Sequence, residues 1–163
     1  MDNLKFNPKL MEIMYKHYAM GPNSLHGPDH WFRVGVIGLA LADLTGANKN
    51  FIRYFAQLHD IGRYNDSSDL FHGIESAHFC KANRDLIGLD DGDFEKLIFA
   101  VAKHPMGLTS DDIDIGTVWD ADRCDLGRVD IEPNAVYFST KQAKEKSFTD
   151  WAFNLHLTFK HPL

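Results

Sequence analysis

The sequence has little cysteine, no run of basic residues and no long apolar segment. Its two cysteines, Cys80 and Cys124, are far apart and show no CxxC spacing, which argues against a thiolate zinc site and a disulfide framework. The strongest apolar stretch, VGVIGLALA, is far too short to span a bilayer. Because the formal net charge is −6, we expect neither a nucleic-acid polymer nor an anionic membrane as a partner.

The amino-terminal segment MDNLKFNPKL has no basic stretch followed by an apolar one, so no secretory signal is expected. We therefore expect a soluble, cytoplasmic protein. A length of 163 residues with 44% hydrophobic content predicts one folded domain over residues 1–163. The chain is unusually rich in histidine, with nine residues.

Apolar residues recur at helical spacing along the chain, and no segment alternates as a strand does. Helix-breaking and capping residues separate these segments and predict helices over residues 8–20, 28–45, 48–61, 73–87, 90–104, 111–128 and 139–146. Ser24 is expected to cap the second helix. With no linker or internal repeat, the pattern predicts an all-α, single-domain helical bundle.

The histidines and aspartates that stand out lie at the predicted helix ends. They are His26, His30, His59, Asp60, His72, His104, Asp120, Asp122 and Asp125. If the helices pack side by side, these ends converge on one pocket. Neutral imidazoles together with carboxylates suit a divalent manganese, iron, cobalt, nickel or zinc ion. Ligation by His30, His59, Asp60 and one later aspartate would leave coordination positions open for water and substrate.

The order of these segments resembles the HD-domain superfamily of metal-dependent phosphohydrolases, whose pattern is H…HD…D. The segments are HGPDHWFRV, LHDIGR, HG with a following SA, AKH and DADRCDLGRV, and the resemblance covers residues 24–145. They are similar to those of small bacterial HD proteins carrying HG-x-x-HW-x-RV, HD-x-x-R, D-x-x-HG and DADR-x-DL-x-RV. The resemblance implies hydrolysis of a small phosphorylated substrate, such as a nucleotide or a related phosphoester.

The resemblance also implies metal ligands. His30 matches the first histidine of the pattern, and His59 with Asp60 match the doublet. The last aspartate of the pattern usually follows an alanine, so Asp122 is the expected fourth ligand and Asp120 is the alternative. Asp60 is expected to act in catalysis as well, by accepting a proton from water.

Members of the superfamily with two metals use further histidines, and His72 and His104 occupy suitable places. These two are expected to bind either a second metal or the substrate. Only Asp60 is clearly placed to bridge two ions, so we expect one divalent ion per chain. The role of His26 is left open between orienting a ligand and supporting the turn at residues 27–28.

Phosphate chemistry needs positive charge near the transferring oxygens. Arg33 and Arg63 are the candidate phosphate-binding residues, and Arg63, directly after the doublet, is the favoured catalytic cation. Lys103 and Arg123 are further candidates. In the competing structural interpretation, Arg33 pairs with Asp29 at i,i+4 spacing.

Two other functions stay open. A few HD-type proteins hold a di-iron centre and oxidise their substrates, and His72 and His104 would fit that pattern. The other function is a regulatory module that binds a nucleotide without turning it over. The sequence indicates neither the substrate nor the native metal.

Overall fold

The computed structural model describes residues 4–158, and these residues form helices, turns and no strand. The α-helices are α1 (Pro8–His17), α2 (Pro28–Thr45), α3 (Lys49–Leu58), α4 (His72–Ala82), α5 (Asp91–Lys103), α6 (Ile113–Cys124), α7 (Lys146–Phe153) and α8 (Leu155–Thr158). Short 3-10 segments cover Arg84–Leu86, His104–Met106, Asp125–Val129 and Ala135–Tyr137. The prediction of an all-α fold is confirmed. None of the helices within the described residues is long and apolar enough to cross a membrane.

The ends of α2 follow from its local sequence and agree with the predicted 28–45. Pro28 begins the helix, where its missing N–H costs no hydrogen bond, and Gly46 ends it in the left-handed region with φ of 82°. Ser24 does not cap the helix, since the N-cap is Gly27 and has no side-chain cap bond. Instead the Ser24 hydroxyl donates a 2.7 Å hydrogen bond to Asp66.

Helix α2 runs through the middle of the bundle, packing against α3 and α6, while α4 packs against α5. It is apolar on most sides because it is buried on most sides. At the α2–α3 contact, a Cβ on Gly38 would lie 2.5 Å from the Ile52 side chain, so glycine permits this approach. The buried apolar side chains form one continuous core, with Trp31, Phe55 and Trp119 among the largest.

Helix α3 ends at Leu58, before the predicted end at residue 61, and this places the His59–Asp60 doublet in the turn that follows. The Ile61 N–H donates to the Leu58 carbonyl and the Arg63 N–H to the Asp60 carbonyl, which is a tighter pattern than the α-helix. The doublet therefore does not continue the buried apolar face of α3. Its side chains project from the end of the helix.

The predicted helix over 139–146 is wrong, because these residues form turns and the helix covers Lys146–Phe153 instead. The cause is a tertiary contact with Asp120. Its carboxylate accepts hydrogen bonds from the Ser139 N–H at 2.8 Å, the Thr140 N–H at 2.7 Å and the Thr140 hydroxyl at 2.8 Å. These bonds hold the segment against α6 in a non-helical conformation.

Three other helices end three or more residues before the predicted position. Helix α1 ends at His17 rather than at residue 20, and α4 ends at Ala82 rather than at residue 87, followed by a 3-10 turn. Helix α6 ends at Cys124, and the rest of the predicted 111–128 segment continues as the 3-10 segment Asp125–Val129. Helix ends commonly tighten into 3-10 turns.

Candidate metal centre

Five helix ends meet on one side of the bundle: the first turns of α2 and α4 and the last turns of α3, α5 and α6. They bring together His30, His59, Asp60, His72, His104 and Asp122. All except Asp122 are buried, and Asp122 is partly exposed. The convergence expected from the sequence is therefore present in the structure.

A first group of donor atoms contains the four ligands that the sequence resemblance implies. The Nε2 atoms of His30 and His59 are 3.0 Å apart. Oδ2 of Asp60 lies 3.5 Å from the first of these nitrogens and 3.6 Å from the second. Oδ1 of Asp122 lies 3.3 Å and 3.7 Å from the same two atoms. We call these four residues the first donor set.

A second group uses the other oxygen of the same aspartate. The Nε2 atoms of His72 and His104 are 3.0 Å apart. Oδ1 of Asp60 lies 3.2 Å from His72 Nε2 and 3.4 Å from His104 Nε2. These three residues are the second donor set. The Asp60 carboxylate thus joins two pairs of histidines, one at each oxygen.

Backbone hydrogen bonds set the tautomer of three of these imidazoles. Nδ1 lies 3.2 Å from carbonyl oxygens in His59, 2.5 Å in His72 and 2.7 Å in His104, each time from a residue three or four positions earlier. A carbonyl oxygen only accepts hydrogen bonds, so Nδ1 carries the proton in each ring. The Nε2 atom of each neutral ring is therefore a bare lone pair.

Burial keeps the rings of His59 and His72 neutral. It lowers the pKa of His59 to about 3, and together with the neighbouring His104 imidazole it lowers the pKa of His72 to about 4. In the second donor set, two imidazole Nε2 atoms and a carboxylate oxygen face one another at 3.0–3.4 Å. A cation between these atoms, either a proton or a metal ion, would relieve the repulsion between their lone pairs. The chemistry of the donors fits a metal ion.

His30 differs from the other three because its Nδ1 faces a carboxylate, Oδ2 of Asp125, at 2.7 Å. Burial alone would lower the pKa of His30, but its hydrogen bonds with Asp122, Asp125 and Asp60 raise it to about 9. The neighbouring imidazoles hold the pKa values of Asp60 and Asp122 well below their usual range, against the effect of burial. In the first donor set, a proton on His30 supplies the positive charge that a metal would replace.

The expectation that Arg33 binds phosphate is corrected by its position behind His30. Its Nε donates to Asp125 Oδ1 at 2.7 Å and its terminal nitrogen to Asp125 Oδ2 at 3.0 Å. This two-point ion pair is buried. Arg33 therefore neutralises the carboxylate that orients His30. Sequence reasoning missed this role of Asp125, although it lies in the DADRCDLGRV segment.

Asp120, the alternative fourth ligand, binds the segment at residues 139–140 and not the histidines. Burial raises its pKa, and its oxygens accept the hydrogen bonds from Ser139 and Thr140 described above. Asp120 and Asp122 lie two positions apart in α6, and their side chains contact different parts of the protein. Asp122 is the one that the structure brings to the histidines.

A cleft of about 280 Å³ opens onto the donor sets. Its walls include His26, Asp60, His72, His104 and Asp122, and three arginines, Arg63, Arg123 and Arg128. Arg63 donates from Nε to Asp60 Oδ1 at 3.1 Å. No role was predicted for Arg128, although it is the arginine near the end of the DADRCDLGRV segment. Among the described residues that form the walls, Lys103 does not appear.

His26 contacts the doublet directly. Its Nδ1 lies 2.9 Å from Asp60 Oδ2 and 3.3 Å from the guanidinium of Arg128. It also lies within the turn in which the Gly27 N–H donates to the Ser24 carbonyl. The sequence left two roles open for His26, orienting a ligand or supporting the turn. The contact with Asp60 is consistent with the first of these roles.

Comparisons of the chain with family models, curated proteins and solved structures found no match. The resemblance to the HD-domain superfamily accordingly stays a prediction from the motifs. The structure contributes an independent observation, namely that Nε2 of His59 in the HD doublet lies 3.7 Å from Oδ1 of Asp122, the second aspartate of DADR.

Proposed function

We propose that this chain is a metal-dependent phosphohydrolase of the HD type, acting on a small phosphorylated molecule such as a nucleotide or a related phosphoester. One observation carries the proposal: the Asp60 carboxylate lies between two histidine pairs, beside a cleft with three arginines. Metal ligands and phosphate-binding cations are the two requirements of this reaction class. The buried free thiols of Cys80 and Cys124 fit a reducing compartment, and we propose the cytoplasm.

The donor sets favour two divalent ions. His30, His59 and Asp122 would hold one ion with Asp60 Oδ2, and His72 and His104 would hold another with Asp60 Oδ1. The sequence led us to expect a single ion because it offers no second carboxylate, besides Asp60, to bridge two ions. Asp60 alone meets that need because each of its oxygens faces a different histidine pair.

Nitrogen-rich sites of this type suit manganese, iron, cobalt, nickel or zinc. When bound, such ions polarise phosphoryl oxygens and generate a nucleophile from water near neutral pH. The depressed pKa values of Asp60 and Asp122 keep both carboxylates ionised and ready to bind cations. Two ionised carboxylates are thus in place among the histidines before metal enters.

The arginines and the more exposed aspartate have separate tasks. Arg63 and Arg128 border the cleft and would bind the phosphoryl oxygens. The side chain of Asp122 is 19% exposed and that of Asp60 is 3% exposed. Of these two carboxylates, Asp122 is the more accessible to water in the cleft. It is therefore better placed than Asp60 to accept a proton from it.

The nitrogen-rich donor sets also keep the di-iron oxygenase alternative open, since four imidazoles around one carboxylate suit iron. The arginines of the cleft favour an anionic substrate instead. Anaerobic loading with Fe²⁺ followed by measurement of oxygen uptake separates the two enzymes. A regulatory nucleotide-binding module would bind nucleotide tightly and release no phosphate with any metal.

The proposal is tested with protein purified without chelator, analysed for metal, stripped and reloaded with each of the five divalent ions. We expect phosphate release from at least one phosphomonoester or diester. Asp60→Ala should lose both metal and phosphate release with unchanged helical circular dichroism, because Asp60 serves both donor sets and lies outside the helical stripe. Asp150→Ala, at an exposed carboxylate of α7, is the control. Near-normal metal content and turnover in Asp60→Ala would exclude this doublet as the site.

A further inference from the structure

A groove of about 380 Å³ opens directly beside the metal cleft. The two cavities share four wall residues, which are Pro105, Gly107, Arg123 and Leu126. The remaining walls of the groove are Met106, Pro133, Asn134 and Tyr137. A molecule with its phosphoryl group in the cleft would therefore extend its organic part into this groove.

We propose that the groove is the subsite for an aromatic group of the substrate, carried next to the phosphoryl group. This inference rests on the proposed phosphohydrolase function and specifies its substrate as an ester with an uncharged, planar leaving group. No acidic or basic side chain other than Arg123 borders the groove among the described residues. An uncharged group is therefore the chemistry that it accepts.

The walls suit a planar ring. A thioether from Met106, an aliphatic side chain from Leu126 and rings from Pro133 and Tyr137 border one space. Met106 is 53% exposed and Tyr137 is 51% exposed. Thioether and phenol side chains both make favourable contacts with aromatic faces and edges. A bound ring would remove this apolar surface from water.

Arg123 holds the two sides of the groove at a fixed separation. One of its terminal nitrogens donates to the Tyr137 carbonyl at 2.8 Å and the other to the Leu108 carbonyl at 2.5 Å. One wall is the turn after α5, which carries Met106, and the other is the 3-10 segment that carries Tyr137. Both bonds are to backbone oxygens, so replacing the Tyr137 side chain leaves them in place.

A second groove adjoins the cleft on another side, but its connection is weaker. It is larger, about 770 Å³, and shares only Arg63 with the cleft. Its walls include Tyr64 and the exposed carboxylate of Glu75, which would repel a phosphorylated ligand. Continuity and charge therefore both favour the groove beside Met106 and Tyr137.

The test compares phenylphosphonate with methylphosphonate, which carry the same head group and cannot be hydrolysed at an ester bond. Binding to the metal-loaded protein is measured by calorimetry. We expect the phenyl compound to bind about tenfold more tightly, through partial burial of its ring. This preference should fall to about one in Tyr137→Ala and in Met106→Ala, and survive in Tyr137→Phe.

Val136→Ala is the matched control, because Val136 lies in the same 3-10 segment, is 68% exposed and does not border the groove. Carbon-13 labelling of methionine methyl groups adds a readout of position, since the Met106 resonance should shift with the phenyl compound and not with the methyl compound. Thermal unfolding confirms that each variant is folded.

Equal affinity of the wild type for the two phosphonates would overturn the aromatic subsite, while phosphoester cleavage would still support the phosphohydrolase. Loss of the preference in Tyr64→Ala, and not in Tyr137→Ala, would place the ring in the second groove and overturn the proposal as well. If neither phosphonate binds and no ester is cleaved, the proposed function itself fails, and the subsite fails with it.

Discussion

The Nδ1 atom of His30 donates a 2.7 Å hydrogen bond to Oδ2 of Asp125, although the two residues are 95 positions apart in the chain. Asp125 in turn accepts both bonds of the Arg33 guanidinium. A carboxylate behind a metal-binding imidazole fixes the tautomer and orientation of the ring and raises its basicity. Asp125 is therefore a positioning residue for the first donor set.

We expect Asp125→Asn to weaken metal binding about 10- to 100-fold, because the amide no longer enforces the orientation and basicity of His30. Because the sequence resemblance assigns metal ligation to Asp122 and not to Asp125, the sequence alone predicts only a mild effect for this substitution. Leaving the Arg33 charge buried without its partner should also lower the free energy of unfolding by about 3 kcal/mol. Competition with a chromogenic chelator measures the first effect, and urea unfolding of metal-free protein measures the second.

Arg33→Met is the matched comparison, since it removes the cation and keeps the Asp125–His30 bond. It should reduce stability while changing metal affinity less than Asp125→Asn does. A larger loss of metal affinity in Arg33→Met than in Asp125→Asn would contradict the positioning role of Asp125.

The two aspartates of α6 should have opposite phenotypes. Asp122→Asn should lose metal with little change in stability, because this partly exposed carboxylate faces His30 and His59. Asp120→Asn should keep its metal and lose about 1–3 kcal/mol of unfolding free energy, because its buried hydrogen bonds to Ser139 and Thr140 are impaired. Metal analysis and urea unfolding separate the two. Loss of metal in Asp120→Asn alone would mean that the ligand is Asp120.

The number of ions can be read from the second donor set. If two ions bind, His104→Ala should reduce the metal content from about two ions per chain to about one, because the first donor set stays intact. His78→Ala, at an exposed histidine of α4, should leave the content unchanged. Elemental analysis by mass spectrometry gives the stoichiometry. One ion in both the wild type and His104→Ala would restore the single-ion prediction made from the sequence.

Metal binding should release a proton and weaken as the pH falls. The pKa of metal-free His30 is about 9, so the ring is protonated at neutral pH, whereas a metal needs its Nε2 lone pair. Below pH 9, this proton alone should cost about tenfold in affinity for each unit of pH. Calorimetry at pH 7.5 in buffers of different ionisation enthalpy counts the protons released. Binding with no proton release would show that His30 is neutral.

The raised pKa of His30 weakens metal binding at low pH, but it stabilises the folded metal-free protein at low pH. Because the folded pKa of His30 is raised from the ordinary value of 6.5 to about 9, its stabilising effect is complete below pH 6.5. The effect is lost as the pH rises through 9. His30→Gln should therefore flatten the dependence of the unfolding free energy on pH between these values. An unchanged dependence would assign the titration to another group.

Much of the fold could be read from the sequence where local signals agree. Pro28 and Gly46 mark both ends of α2, and the predicted range for this helix matches the structure. The doublet, Asp122 and the two further histidines could be selected because their order resembles a known pattern. The 139–146 helix failed because Asp120, about twenty positions earlier, binds that segment.

The sequence by itself determined the helical periodicity, the helix-ending residues and the set of residue types suited to a metal. These depend on side chains within one or two turns of each other, where spacing dictates contact. Only the tertiary structure decided that each oxygen of Asp60 faces a different histidine pair, and that Arg33 lies behind His30 rather than in the cleft. Those outcomes depend on where five separate helices end in space, and no local preference specifies the relative position of residues that are far apart in the chain.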